Sequence, residues 1–282
     1  MVEIISSGMY TTIQDEGRFG FSKYGVPQSG AMDKRSYKLA NALLDNDPDC
    51  AVIEWMLIPP VLKFYEDSII AITGVQCDPF VDDKKVKCNH QLIIKKGSVL
   101  KFKNIIKRVF GYVGIKNGFC KNDVLNSRSQ YKNVTDSESL SKGSFISYNK
   151  FVDFWTQYSS LKIDDSWWDK GELDVFPGPE YDQLSNNEKE LLKTGSFTIS
   201  TESSRMAISL NEELENDLDS MISVPVLPGT VQLTPSGRLI VLMRDCQTTG
   251  GYPRILQLSE EAINIISQKR TNEEVRFSMR SF

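Results

Sequence analysis

The sequence predicts a mainly β protein built as two barrel-like halves with a few short helices. Short apolar or alternating runs recur between turn residues, at the even spacing of sandwiches and barrels. Their β-branched content suits strands, and only three segments carry helical periodicity.

The runs Ser68–Thr73, Gln91–Ile94, Ser98–Phe102, Phe110–Ile115, Ser196–Ile199 and Leu239–Met243 are the clearest strands. Ala31–Leu44 places Met32, Leu39, Ala40, Leu43 and Leu44 on one helical face, with Ser29 as the expected cap. Ser185-Asn186-Asn187-Glu188 is a capping box that opens a short helix through Leu192. Glu260–Gln268 sets Ile263 and Ile266 at helical spacing behind Ser259. The Asp-rich stretch Lys162–Gly171 is the expected boundary, dividing the chain into halves 1–165 and 166–282. An internal echo supports two related halves. Thr12-Ile13-Gln14 precedes Gly17-Arg18, and Thr230-Val231-Gln232 precedes Gly237-Arg238, with inserts that differ by two residues.

Composition narrows the function. The 282 residues are 40% hydrophobic and 25% charged, ordinary for a soluble globular chain, and can fill one large core or two small ones. A net charge of −4 gives no electrostatic case for nucleic acid or an anionic membrane. Lys84-Lys85-Val86-Lys87 and Lys101-Phe102-Lys103 read as solvated strand edges. No apolar run reaches the roughly 18 residues of a membrane span, and Met1–Ile5 lacks the features of a signal peptide. Five scattered cysteines without a C-x-x-C pair argue against disulfides and structural zinc, and for a cytoplasmic setting. The single histidine, His90, excludes mechanisms that need two and reads as an exposed turn residue.

Two segments carry the chemistry. The first runs Thr11-Thr12-Ile13-Gln14-Asp15-Glu16-Gly17-Arg18-Phe19-Gly20 and on to Gly25-Val26-Pro27-Gln28-Ser29-Gly30-Ala31-Met32-Asp33. Its glycines let backbone approach a ligand, and a helix starting at Ser29-Gly30-Ala31 would point N–H groups at an anion. A turn followed by a capped helix explains the same composition. The second, Asp245-Cys246-Gln247-Thr248-Thr249-Gly250-Gly251-Tyr252-Pro253-Arg254, follows an apolar strand. Gln247, Thr248 and Thr249 offer amide and hydroxyl groups, and Gly250-Gly251 permits close approach of a planar amide or phosphate. A β-bulge turn is the plainer alternative. Asp245 is either a metal- or water-positioning group or a strand-end carboxylate holding turn amides. Cys246 is either a nucleophile or, with no histidine nearby in sequence, a core-facing strand-end thiol.

These strings, with Leu39-Ala40-Asn41, resemble the biotin-dependent carboxyltransferase family, also described as allophanate hydrolase subunit 2 or urea amidolyase-related. Phe176-Pro177-Gly178-Pro179 and Ser204-Arg205-Met206 resemble two further family motifs, so the likeness spans roughly residues 2 to 277. Departures occur at Ser203-Ser204-Arg205-Met206-Ala207, Asn126-Ser127-Arg128-Ser129-Gln130, Pro59-Pro60 and Asn117-Gly118. The loss of an aspartate before Arg205 removes one carboxylate partner that the guanidinium would have.

The resemblance implies tandem cyclophilin-like β-barrels. The family includes the C-type subunit of 5-oxoprolinase, the carboxyltransferase part of urea carboxylase, and the antagonist of a sporulation-kinase inhibitor. The implied activity is ATP-dependent opening of 5-oxoproline to glutamate, shared with a sister cyclophilin-like subunit (B type) plus a larger one (A type). The regulatory and urea-directed carboxyltransferase roles stand as alternatives. ATP and Mg²⁺ are implied. Biotin is not expected on this chain, which has no biotinyl-lysine Met-Lys-Met. The catalytic candidates are Asp15, Arg18 and Asp245. The binding candidates are Gln14, Ser29, Arg128, Arg205, Gln247, Thr248, Thr249, Gly250, Tyr252 and Arg254, with no direct metal ligand set. Arg18, Arg205 and Arg254 are expected to grip phosphate or carboxylate. As exposed polar residues, Arg18 and Asp245 are expected to be removable at about 0.5 kcal/mol of stability. The two glycine-rich motifs are expected to share one pocket.

Overall fold

The computed structural model describes residues 1–151 and 164–281. The chain divides into two compact units, one of residues 1–18 and 29–164, the other of 19–28 and 165–282. Of the boundary stretch, residues 162 and 163 lie outside the described residues, and Asp165–Asp169 form a 3-10 turn.

Among the described residues the first unit holds twelve strands: β1 Val2–Ser6, β2 Tyr10–Gln14, β3 Val52–Met56, β4 Val61–Phe64, β5 Ser68–Thr73, β6 Gln76–Val81, β7 Lys84–Lys85, β8 Gln91–Ile94, β9 Val99–Lys107, β10 Phe110–Ile115, β11 Phe119–Cys120 and β12 Phe145–Tyr148. They form a seven-stranded sheet, β11-β12-β1-β4-β9-β6-β7, and a five-stranded sheet, β2-β3-β10-β5-β8. Inward residues of both sheets, among them Ile4, Ile13, Trp55, Phe64, Ile72 and Val113, share one hydrophobic cluster. That face-to-face burial is the main driving force for this unit. β5, β8 and β10 match the sequence reading residue for residue. β9 runs on to Lys107, because pairing with β6 extends a strand beyond its apolar start.

Helix α1 spans Lys34–Leu43 and buries Tyr37, Ala40, Asn41 and Leu43. Its cap is Asp33, whose carboxylate accepts from Ser36 N–H, and not Ser29 as expected. Ser29 sits in the left-handed region at φ 54° and Gly30 follows at φ 92°, so neither can begin the helix. The N–H groups just upstream are already engaged. Ala31 donates to the Asp15 carbonyl, Met32 to Glu54 Oε2 at 2.8 Å and Asp33 to Tyr112 Oη at 2.8 Å. The anion-binding helix start expected at Ser29-Gly30-Ala31 is therefore absent among the described residues. Burial, followed by the Glu54 and Asp33 charges, pushes the Tyr112 hydroxyl well above its ordinary range, so it stays protonated.

The second unit is a closed barrel of β13 Glu172–Pro177, β14 Phe197–Ser203, β15 Ala207–Glu213, β17 Thr230–Leu233, β18 Arg238–Leu242, β20 Arg254–Leu258 and β21 Glu274–Met279. Parallel pairing of β13 with β21 closes the ring. A separate ribbon joins β16 Val224–Pro225 to β19 Thr249–Gly250. Helix α2, Asn186–Thr194, opens on the expected capping box of Ser185 and Glu188. Helix α3, Glu260–Ser267, is capped by Ser259 and buries Ile263 and Ile266. Arg244, 2% exposed, ties the end of β18 to α3 through Glu260 and Asn264. The internal echo maps onto buried strands: Gln14 ends β2 and Gln232 lies in β17. It stops at the arginines, since Arg18 is buried whereas Arg238 is exposed and paired with Glu202.

Candidate functional site

In the first unit the N-terminal motif grips the loop at 124–130. Asp15 is 5% exposed and its carboxylate accepts from Gly17 N–H, Ser127 Oγ, Ser129 Oγ and Arg128 N–H. Four donors on one carboxylate leave little of it to bind a metal or orient a water. Arg18, 1% exposed, donates to the carbonyls of Ser129 at 2.5 Å and Val124 at 3.4 Å. Gln130 clamps the same loop to β2 by accepting from Ile13 N–H at 2.8 Å. Gln14 donates to Thr12 Oγ1 at 3.0 Å, while Gln14 Oε1 and Ser29 Oγ are buried with no hydrogen-bond partner among the described residues. The motif thus folds into a buried polar network, and such networks hold one geometry when nearly all their members are satisfied.

What the network presents is Arg128. Its side chain is about one-third exposed, reaches Asp123 at 3.3 Å and lines a cavity of about 620 Å³. Lys121 adds a second cation to the wall, Asp47 and Asp49 add carboxylates, and Cys50 adds a thiol. Burial, and then the charges of Asp49 and Asp47, raise the Cys50 thiol above its ordinary range, so it is a neutral wall at pH 7.

In the second unit the arginines named from sequence are held by carboxylates. Arg205 forms a two-pronged pair with Asp245, Nε to Oδ2 at 2.7 Å and Nη2 to Oδ1 at 3.0 Å, both residues nearly sealed from solvent. The aspartate missing beside Arg205 in sequence is thus replaced by one forty residues away. Arg254 pairs with Glu180 at 3.0 and 2.8 Å and donates to the Pro225 carbonyl. Its hydrogen bonds hold the Glu180 carboxyl below the usual range and lift the Arg254 guanidinium. Glu180 was not singled out from sequence, although it directly follows the motif Phe176–Pro179. The pairing is tight because Gly178 lies against residue 254: a Cβ there would stand 2.1 Å from the Arg254 carbonyl oxygen.

The Gly250 position has a structural explanation too. It is buried, and a Cβ would fall 2.3 Å from Gln232 Nε2, so the missing side chain makes room for Gln232. This ribbon leaves Gln247 and Thr249 exposed, Thr248 half-buried and Tyr252 38% exposed. Cys246 is buried against Val226 and Leu242, as expected, and burial pushes its thiol up to about 12. His90 is exposed, with Nδ1 against the Cys88 carbonyl. Among the described residues no group of three or more His, Cys, Asp or Glu could hold a metal ion, and no helix is long and apolar enough to cross a membrane.

The mainly β chain with its closed seven-stranded barrel has the architecture of a carboxyltransferase domain. The chain belongs to the family of the carboxyltransferase domain, subdomains A and B, whose model matches residues 24–279. It is 30% identical to the C-type subunit of 5-oxoprolinase from Escherichia coli K12, over 98% of this chain and 90% of that protein. It is 35% identical to the urea amidolyase of Lachancea kluyveri, over 46% of this chain and 7% of that protein. Among solved structures, TTHA0988 superposes with a TM-score of 0.87 at 23% identity, over 98% of this chain and 56% of that one. The Kluyveromyces lactis urea carboxylase superposes at 0.86 with 20% identity, over 99% of this chain and 27% of that one. The chain therefore spans about half, or less, of the solved chains it matches, and these likenesses show the fold.

Proposed function

We propose that this chain is one subunit of an ATP-dependent 5-oxoprolinase, working with a sister subunit plus a larger third one. The observation that carries the reading is the match to the C-type subunit of that enzyme along nearly the whole of both proteins. A lactam carbonyl is a poor electrophile. Phosphorylating its oxygen creates a leaving group before water adds, so the protein's share is to hold charge and geometry. In this reading Arg128 and Lys121 receive a carboxylate or phosphate in the cavity. Asp15, Arg18 and Gln130 act one step back, fixing the loop that aims Arg128. Within the second unit, Gln247, Thr249 and Tyr252, with half-buried Thr248, supply donors and acceptors for an amide. Arg205, Asp245 and Arg254 position that motif.

Mg²⁺ fits these residues poorly. Asp15 and Asp245, the carboxylates named as catalytic candidates, have their oxygens engaged by protein donors. No step is assigned to a metal held by this chain. ATP, the partners and a cytoplasmic setting belong to the same proposal. The carboxyltransferase reading, with a urea-like substrate and biotin from another chain, is favoured by the urea amidolyase match over 46% of the sequence.

The test is co-expression with the candidate partner subunits, followed by ATP-dependent glutamate release from 5-oxoproline. The expected result is co-purification and glutamate release that falls on the order of a hundredfold in Arg128→Ala. A stable complex that forms no glutamate would overturn the reading. Biotin-dependent carboxylation of urea by the same complex would establish the other.

A further inference from the structure

Two of the five cysteines meet in space. Cys77 lies on β6 and Cys88 in the segment that leads into β8, and their Sγ atoms stand 3.9 Å apart. Cys88 Sγ is also 3.9 Å from the Cys77 carbonyl oxygen. Both side chains are half-buried and pack against the first unit's hydrophobic cluster. The chain between them is pinned at several points. Asp82 and Asp83, at φ 49° and 63°, turn β6 into β7, and Asp78 holds Lys85 at 2.7 Å and Asn104 at 2.9 Å. Val86 N–H then donates to the Pro79 carbonyl, and Asn89 N–H to the Ile72 carbonyl. The S···S contact is therefore set by backbone on both sides. A disulfide needs about 2.05 Å between sulfurs, a closure of roughly 2 Å that side-chain torsions can supply.

We propose that Cys77 and Cys88 form a redox pair that a hydroperoxide converts into an intrachain disulfide. One thiolate of the pair attacks a peroxide oxygen; the S–O bond forms, the O–O bond breaks, and the departing oxygen leaves as water after protonation. The second sulfur then attacks the sulfenic sulfur; the S–S bond forms, the S–O bond breaks, and hydroxide departs as water with the second thiol's proton. Two thiols and one hydrogen peroxide give one disulfide and two waters, the pair losing two electrons. Either sulfur can donate in the Cys77–Cys88 contact, so the same disulfide forms whichever thiolate attacks first.

The location gives the bond a consequence. β6 and β7 form one margin of the seven-stranded sheet, and β8 is the margin of the five-stranded sheet. A Cys77–Cys88 bond fastens these two margins together.

The experiment treats the full chain with hydrogen peroxide, blocks remaining thiols with N-ethylmaleimide under denaturant, and maps tryptic peptides by mass. The expected result is a fall from five alkylatable thiols to three. Peptide 64–84 should be linked to peptide 88–95, a link that dithiothreitol reverses. In Cys77→Ser, Cys88 should instead be trapped by dimedone as a sulfenic acid. Five alkylatable thiols after a peroxide dose that oxidises free cysteine, or cross-links that run through Cys120, overturn the proposal.

Discussion

Replacing Asp245 by asparagine keeps the size of the side chain and removes the charge that Arg205 faces. Both partners are about 5% exposed and share two hydrogen bonds. A buried guanidinium left without its counter-charge costs about 3–5 kcal/mol, far above the value for a surface pair. For a domain of this size that lowers the melting temperature by on the order of 10 °C. The assay is thermal unfolding by far-UV circular dichroism for Asp245→Asn, Arg205→Met and the double variant. The double variant should lose clearly less than the sum of the singles, because removing both partners leaves no uncompensated charge. A single-variant loss below about 1 kcal/mol, or a cycle additive to within about 0.5 kcal/mol, would refute the reasoning. The structure also revises an expectation from sequence. Asp245 and Arg18 are not exposed, so alanine at either position reports on folding as well as activity, and activity must be measured well below the lowered melting temperature.

Arg254 holds the Glu180 carboxyl below its ordinary value of 4.5, so the pair's stability is fully present above that pH and declines as pH falls through the lower folded value. Acid unfolding of Glu180→Gln should therefore show a shallower pH dependence below pH 4.5 than the parent, as read by denaturation midpoints. Gly178→Ala drives a methyl group against the Arg254 carbonyl oxygen and should cost about 2 kcal/mol or more, measured by chemical denaturation. Asp33→Ala removes the α1 cap and should cost about 1 kcal/mol, whereas Ser29→Ala should leave that helix intact, as read by amide exchange in α1. Cys246, with its thiol raised to about 12, should resist iodoacetamide at pH 8 in the native chain while exposed Cys120 reacts, as read by peptide mass.

The strands were legible because a strand buried on both faces reads as a short continuous apolar run. Ser68–Thr73 and Phe110–Ile115 are fully buried along their length, and their apolar runs mark both ends. The Ser185 and Ser259 caps were legible because capping is local, decided within four residues. The Ser29 cap failed because the same residue types also suit a left-handed turn, and only the contacts of Ala31 with Asp15 and of Met32 with Glu54 separate the two. The site was legible as motifs but not as roles. Arg18, Arg205 and Arg254 look alike in sequence, yet each is held by a group at least 40 residues away: the Ser129 carbonyl, Asp245 and Glu180. No local pattern encodes such a partner. Arg128 was found only through resemblance, and its neighbours in the cavity, Lys121, Asp47 and Asp49, carry no motif at all.

Asp15 holds the 127–129 loop through two hydroxyls and one main-chain N–H, that of Arg128. Every amino acid except proline supplies that N–H. The anchoring of position 128 is thus independent of what its side chain is, and the identity of the group facing the cavity can drift without loosening the loop. A library at residue 128 should yield folded protein with nineteen of the twenty side chains and fail with proline, making this one position a place where ligand preference can change while the architecture stays constant.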